Sequence, residues 1–363
     1  MPDFESRIGK LRKRLTSEAC PSLLITNFTN VTYLTGFTGD DSFLLVTPEQ
    51  TLLLTDGRYE TQLQQECPGL DLFVRPYRMK MIQAIEKTFK RHKISRLAIE
   101  SQSMTIKTAE EIKEKVKNIQ LKPVGDAVES LRQIKDAEEV AEIRASVALA
   151  ERVFQVVKAS LRAEQTEREV AALLEYQARL FGGAGCSFQT IVGVGPNAAK
   201  PHAGLTDARI GEGSLVLIDW GVKQRLYTSD LTRTLAVNKI SPKLQRMYEV
   251  VLAAQQAGID AIRPGAKMCD VDAAARKVIS DAGLGKKYNH GLGHGIGLEV
   301  HEGPRLSAVI NDELKAGMVV TVEPGVYQPG WGGIRIEDDV LVTRHGAERL
   351  STLPRELESL GLV

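Results

Sequence analysis

A chain of 363 residues exceeds one ordinary domain, so two domains are the expectation. Its 43% hydrophobic and 26% charged residues fit a globular protein, and a formal net charge of +1 provides no long-range field for nucleic acid or an anionic membrane. No apolar run nears the ~20 residues needed to cross a bilayer. The opening "MPDFESRIGKLRKRLTSEAC" is charged throughout, unlike a signal peptide. Cys20, Cys67, Cys186 and Cys269 are scattered without a CxxC pair, the pattern of reduced packing thiols, and a cytoplasmic location is expected.

In chain order, "SLLIT", "SFLLVT", "TLLLTD", "DLFVRP" and "RLAIE" read as strands. "MIQAIEKTFKRH" and "TAEEIKEKVKNI" read as helices, the second opening on a capping box of Thr108 and Glu111. These elements predict a small α/β domain ending near residue 125. A long amphipathic helix over 136–161 follows, its charges read as a solvated face. Ser241 caps a further helix with Pro242 in its first turn and "RPG" as its stop, and "DVDAAARKVISDAGLG" gives another.

"SLVLIDWGVKQRLYTSDLTRTLAV" reads as a hairpin about "VKQR", with Asp219 and Asp230 symmetric about a turn between Gln224 and Arg225. Residues equidistant from an antiparallel turn face each other, so these carboxylates are expected as cross-strand neighbours. "MVVTVEPGVYQPGWGGIRIEDDVLV" repeats the arrangement, with Glu323 and Glu337 equidistant from Gly330 and flanked by the apolar "VVTV" and "IRI". Four carboxylates gathered without cations would be very costly. Two divalent cations match them charge for charge, and a neutral imidazole could complete a coordination shell.

Three of the six histidines lie in "NHGLGHGIGLEVHE", as His290, His294 and His301. The glycines between them argue against a helix, and Gly291 stands where HExxH would need its glutamate. The segment reads as a glycine-rich strand or loop whose backbone closely approaches something bound, and the residues alone leave the choice of ligand among the three open. "IVGVGPNAA" matches GxGxxA after an apolar run, but Pro196 and Pro201 preclude the helix that a dinucleotide site requires. No GxSxG motif supports a nucleophilic hydrolase.

The ordered motifs "LIDWG", "YTSDLTRT", "HGLGHGIGLEVHE", "VEPGVY" and "GIRIED" resemble the metallopeptidase family of aminopeptidase P, prolidase, methionine aminopeptidase and creatinase. "NVTYLTGFTGDDSFLLVTPEQTLLLTDGRYETQ" extends the resemblance toward smaller bacterial Xaa-Pro peptidases. It implies an α/β (α+β) chain: a creatinase-like N-terminal domain over 1–127, then a pita-bread catalytic domain over 128–363 with two pseudo-symmetric halves. By motif, Asp219, Asp230, His294, Glu323 and Glu337 fall on the family's ligands for two divalent metal ions. Asp230 and Glu337 would bridge the ions, Asp219 would hold one, and His294 with Glu323 the other. His202 in "KPHAG" matches a substrate-site histidine. His301 matches one that steadies the tetrahedral intermediate, and His290 a further one near the site. Arg335 shares a strand face with Glu337 and matches a residue that orients a metal carboxylate. His92 and His345 lie in charged stretches and receive no role.

The implied reaction is hydrolysis of an Xaa-Pro bond in proline-containing peptides by a metal-activated hydroxide, with Glu323 as general base. Mn2+ suits the oxygen-rich ligand set best, with Co2+ or Zn2+ as alternatives. No nucleic-acid or membrane partner is expected, and the family implies a homodimer. Compact length and the "TDGRY" segment favour an Xaa-Pro aminopeptidase, with an Xaa-Pro dipeptidase (prolidase) as the alternative. An alternative of another class is a catalytically inactive binding protein on the same scaffold, and all five ligand positions being intact counts against it.

Overall fold

The computed structural model describes residues 3–361, which fall into two compact units that divide between Arg132 and Gln133. The first unit is built on a six-stranded sheet whose spatial order is Asp71–Arg75, Thr51–Asp56, Phe43–Val46, Leu23–Ile25, Arg96–Glu100 and Gln120–Val124. The five strands read from sequence are all present. The sixth, "QLKPV", escaped notice because lysine and proline dilute its apolar signal, and proline is tolerated there because the strand lies at the sheet edge. The helix Ile106–Lys115 is capped by Thr105, whose Oγ1 accepts from Thr108 N–H at 3.1 Å. Thr108 therefore sits inside the first turn, and the box expected from Thr108 and Glu111 does not form.

The second unit repeats one plan. In its first half the helices Ala137–Ala159 and Glu167–Leu180 precede the antiparallel strands Ile191–Val194, Leu215–Trp220 and Leu231–Ala236. In its second half the helices Pro242–Ala261 and Met268–Asp281 precede a sheet containing Gly293–Gly295, Glu302–Leu306, Val319–Val322 and Asp338–Val342. Capping is local and strong: Asp136 and Glu139 form a reciprocal box, and Ser241 Oγ accepts from Leu244 N–H. Each half buries its own apolar core. Trp220 stacks on Phe154 at 4.2 Å in the first, and Val251, Ala275, Val320 and Ile334 pack together in the second. The halves meet at an antiparallel bridge between Thr232 and Glu337. No helix among the described residues is long and apolar enough to cross a membrane.

The second hairpin has the expected register: Gly325 pairs with Arg335 and Val322 with Asp338, which places Glu323 opposite Glu337. The first does not. Leu231 pairs with Trp220 and Thr232 with Asp219, because the turn is centred between Arg225 and Leu226, one residue later than the expected point between Gln224 and Arg225, with Arg225 at φ 51°. Asp219 thus faces Thr232, and Asp230 lies diagonally across on the same face.

Candidate metal centre

Asp219, Asp230, His294, Glu323 and Glu337 all line one cavity of 690 Å³, together with His202, His290, His301, Arg305, Tyr327 and Arg335. Ligand atoms of Asp230, His294 and Glu337 lie within 4.8 Å of one another. His294 Nε2 is 3.6 Å from Asp230 Oδ2 and 3.5 Å from Glu323 Oε1.

Three of the five side chains, those of His294, Glu337 and Asp219, are fixed from behind. His294 Nδ1 lies 3.1 Å from the carbonyl of Gly295, so the proton belongs on Nδ1 and the Nε2 lone pair faces the carboxylates. Burial holds this imidazole neutral, with its pKa lowered to about 4. Glu337 Oε2 accepts from Thr232 Oγ1 at 2.5 Å, and its carbonyl accepts from Arg233 Nη1 at 2.7 Å. Asp219 Oδ2 accepts from Arg335 Nη2 at 2.5 Å. Asp230 N–H donates to the buried carboxylate of Asp339 at 3.1 Å. The glycines around His294 serve close strand packing. A Cβ on Gly293 would fall 2.0 Å from Thr321 O, and one on Gly295 2.1 Å from Gly303 O. The close approach inferred from sequence is therefore to neighbouring backbone.

These groups fit divalent cations on physical grounds. Asp219 Oδ1 is buried and has no hydrogen-bond partner among the described residues. Burial, then the charges of Glu337 and Asp219, push the Asp230 pKa well up. Burial likewise raises Glu337, and lifts Glu323 to about 8. An unprotonated imidazole nitrogen aimed at two such carboxylates is repulsive unless a cation lies between them.

The other histidines are placed differently. His202 is exposed on the cavity wall, and the His301 ring lies 4.4 Å from that of His294. His290 Nδ1 is 2.8 Å from Gly291 O and its Nε2 3.0 Å from Tyr327 Oη, which in turn accepts from Arg335 Nη1 at 2.8 Å. This chain runs from His290 to Asp219 through Tyr327 and Arg335. Sequence reading missed Tyr327 and Thr232, although period two was the available signal. Tyr327 lies two and four residues beyond Gly325 and Glu323, and Thr232 two beyond Asp230. It also missed Arg305, which no strand periodicity marks.

Family models match both parts of the chain: "Metallopeptidase family M24" over residues 141–344 and "Creatinase/Prolidase N-terminal domain" over 7–134. The chain belongs to metallopeptidase family M24. It is 34% identical over 358 residues to the Xaa-Pro dipeptidase of Pyrococcus horikoshii, covering 98% of this chain and 100% of the relative. Among solved structures, an Xaa-Pro dipeptidase from Bacillus anthracis superposes with a TM-score of 0.94 at 33% identity, covering 98% of this chain and 100% of that one. An X-Pro aminopeptidase from Thermotoga maritima does so with 0.89 at 34% identity, covering 95% and 99%. This M24 chain is a metal-dependent hydrolase with the pita-bread fold of its relatives.

Proposed function

We propose that this M24 hydrolase cleaves Xaa-Pro dipeptides at a centre of two divalent cations held by Asp219, Asp230, His294, Glu323 and Glu337. The observation that carries the dipeptide preference is Arg305. It lines the same cavity, and its guanidinium makes no ion pair or hydrogen bond among the described residues. An unpaired guanidinium beside a reacting centre is suited to a substrate's terminal carboxylate. Relatives named as Xaa-Pro dipeptidases support this reading over the aminopeptidase that chain length and "TDGRY" favour. The aminopeptidase remains the second reading because the T. maritima neighbour carries that name. Phe188, Ile191 and Leu306 provide apolar wall in the cavity for a proline ring.

Divalent cations bound here supply a nucleophile from water at neutral pH and Lewis-acid polarisation of the scissile carbonyl. Mn2+ suits the ligand set best, with Co2+ or Zn2+ as alternatives. Glu323, which lines the cavity beside His294, takes the proton from water as a carboxylate and delivers it to the leaving proline nitrogen. His301 is kept neutral by burial and then by the charge of Arg305, and donates a hydrogen bond to the developing oxyanion. His202 binds substrate at the cavity wall, and Arg335 fixes the orientation of Asp219.

The test compares Ala-Pro, Ala-Pro-Ala and Ala-Ala-Ala on metal-stripped protein with and without Mn2+. Ala-Pro hydrolysis that depends on Mn2+ is expected. Arg305→Met should lower kcat/KM for Ala-Pro by about 10- to 100-fold, the worth of a hydrogen bond to a charged group. Cleavage of the tripeptide alone would establish an aminopeptidase. No cleavage with metal restored would leave a binding scaffold.

A further inference from the structure

The segment "IVGVGPNAAKPHAGLT" joins a failed nucleotide motif to the cavity histidine His202. The strand Ile191–Val194 leads into a single 3₁₀ turn over Gly195–Ala199, and the chain then carries His202 into the cavity before returning at Thr206. Such a loop needs restraint, since its apex is exposed.

That restraint comes from Glu167, the first residue of the helix Glu167–Leu180. Its side chain is fully buried, and it has no cationic partner among the described residues. Its two oxygens instead accept from both roots of the loop. Oε1 takes Val194 N–H at 2.7 Å, while Oε2 takes Thr206 N–H and Thr206 Oγ1, each at 2.7 Å. Between the roots, Asn197 Nδ2 reaches Oε2 at 2.9 Å and also donates to Gly204 O at 3.1 Å. A buried carboxylate is costly unless hydrogen-bonded this fully, and every one of these bonds goes to the loop. The glycine of the motif acts in the same clamp, because a Cβ on Gly193 would lie 2.8 Å from Ala198 Cα.

The second half of the domain supplies an independent parallel. Asp272, on the corresponding helix Met268–Asp281, is fully buried, and its Oδ1 accepts from Leu292 N–H at 3.0 Å. Arg276, paired with Asp272, donates to His290 O at 2.8 Å. In both halves the second helix carries a buried carboxylate that fixes the segment presenting a cavity histidine.

We propose that Glu167 is a positioning residue that acts through His202: it clamps residues 194–206 so that His202 stands at the substrate. The inference rests on the functional reading above. Glu167→Gln keeps the shape but turns an amide N–H₂ toward donors on one side or the other, releasing one root of the loop. Kinetics on Ala-Pro are measured for the wild type, Glu167→Gln, His202→Ala and the double variant. They are accompanied by Mn2+ titration calorimetry and amide hydrogen exchange of the full chain. Glu167→Gln should lower kcat/KM by about 10- to 100-fold, the cost of a small misplacement in a reaction site. On the His202→Ala background its further effect should stay within about twofold, the scatter of uncoupled sites. Mn2+ affinity should be unchanged, and faster exchange should be confined to 194–206.

A multiplicative loss in the double variant, or a parallel fall in Mn2+ affinity, would overturn the proposal in favour of a general structural role. If Glu167→Gln does not accumulate folded, Asn197→Ala, at a half-buried position, carries the same cycle with the same outcomes. If the wild type cleaves no Xaa-Pro peptide, the functional reading fails instead. The exchange pattern then decides the clamp: faster exchange confined to 194–206 upholds it, and unchanged or global exchange refutes it.

Discussion

The two hairpins of the catalytic unit bring two carboxylates each to one cavity, but their ladders are interrupted at different places. In the first, Asp219 lies within the ladder opposite Thr232, and Asp230 sits beyond it, where the strands part. In the second, pairing stops at Val322 with Asp338 and resumes at Gly325 with Arg335, so Glu323 and Glu337 both lie in the gap. A gap frees backbone groups, and here they are used between the halves. Asp230 N–H donates to Asp339, and Glu337 N–H donates to Thr232 O at 3.2 Å. The broken ladders thus join the halves at the same residues proposed to hold metal.

Thr232 and Thr321 sharpen this comparison, one in each half. Thr232 Oγ1 donates to Glu337 at 2.5 Å and accepts from Arg335 Nε at 3.1 Å, binding the two hairpins together. Thr321 Oγ1 accepts from His294 N–H at 3.0 Å and reaches Glu323 only at 3.4 Å. Groups that orient metal ligands are worth roughly 10- to 100-fold in metal affinity or activity. Thr232→Val is expected at the upper end of that range and Thr321→Val at the lower, read by Mn2+ titration calorimetry and kcat. Equal losses would show that joining the halves adds nothing to holding the ligand.

A smaller effect is read from pH at Glu323 of the second hairpin. Burial lifts the Glu323 carboxyl from its ordinary 4.5 to about 8. A raised carboxyl contributes stability fully present below 4.5 and lost as pH rises through 8. The buried imidazoles His290 and His294, lowered from 6.5 to about 4, act oppositely, but their contribution is complete above 6.5. Between pH 6.5 and 8 the metal-stripped protein should therefore lose thermal stability. Glu323→Gln should lose at least about 2 °C less, the shift that ~1 kcal/mol produces in a domain of this size. Saturating Mn2+ should remove the difference between them.

Much of this was legible in the sequence, for identifiable reasons. Buried strands announce themselves as apolar runs, and five of six in the first unit did so. The Glu323 and Glu337 pairing was readable because the hairpin around Gly330 is symmetric. The Asp219 and Asp230 pairing was misread because "VKQR" contains no glycine or asparagine to mark the left-handed turn residue, and Arg225 takes that role. Glu167 was illegible as a single letter. A buried carboxylate at a helix start reads as an ordinary first-turn acid, and only the loop packed on it shows otherwise.

The hairpin tips provide the smallest and sharpest contrast. Gly330 sits at φ 74° with open space where a Cβ would go, so Gly330→Ala costs only the left-handed backbone penalty of about 1 kcal/mol. Arg225, at φ 51°, already bears that strain, and its ion pair with Glu142 involves a side chain that is 75% exposed. Such a pair is worth little. Asparagine tolerates the left-handed region better than arginine does, so Arg225→Asn relieves strain while losing the pair. The two should nearly cancel, leaving stability within about 0.5 kcal/mol of wild type in urea denaturation. Mn2+ affinity should be unchanged in both variants, because register is set by fully buried strands that cannot slip by one residue without turning cavity side chains such as Asp219 into the apolar core. A loss of Mn2+ affinity in Arg225→Asn alone would mean that the turn, rather than the buried ladder, holds Asp219 opposite Thr232.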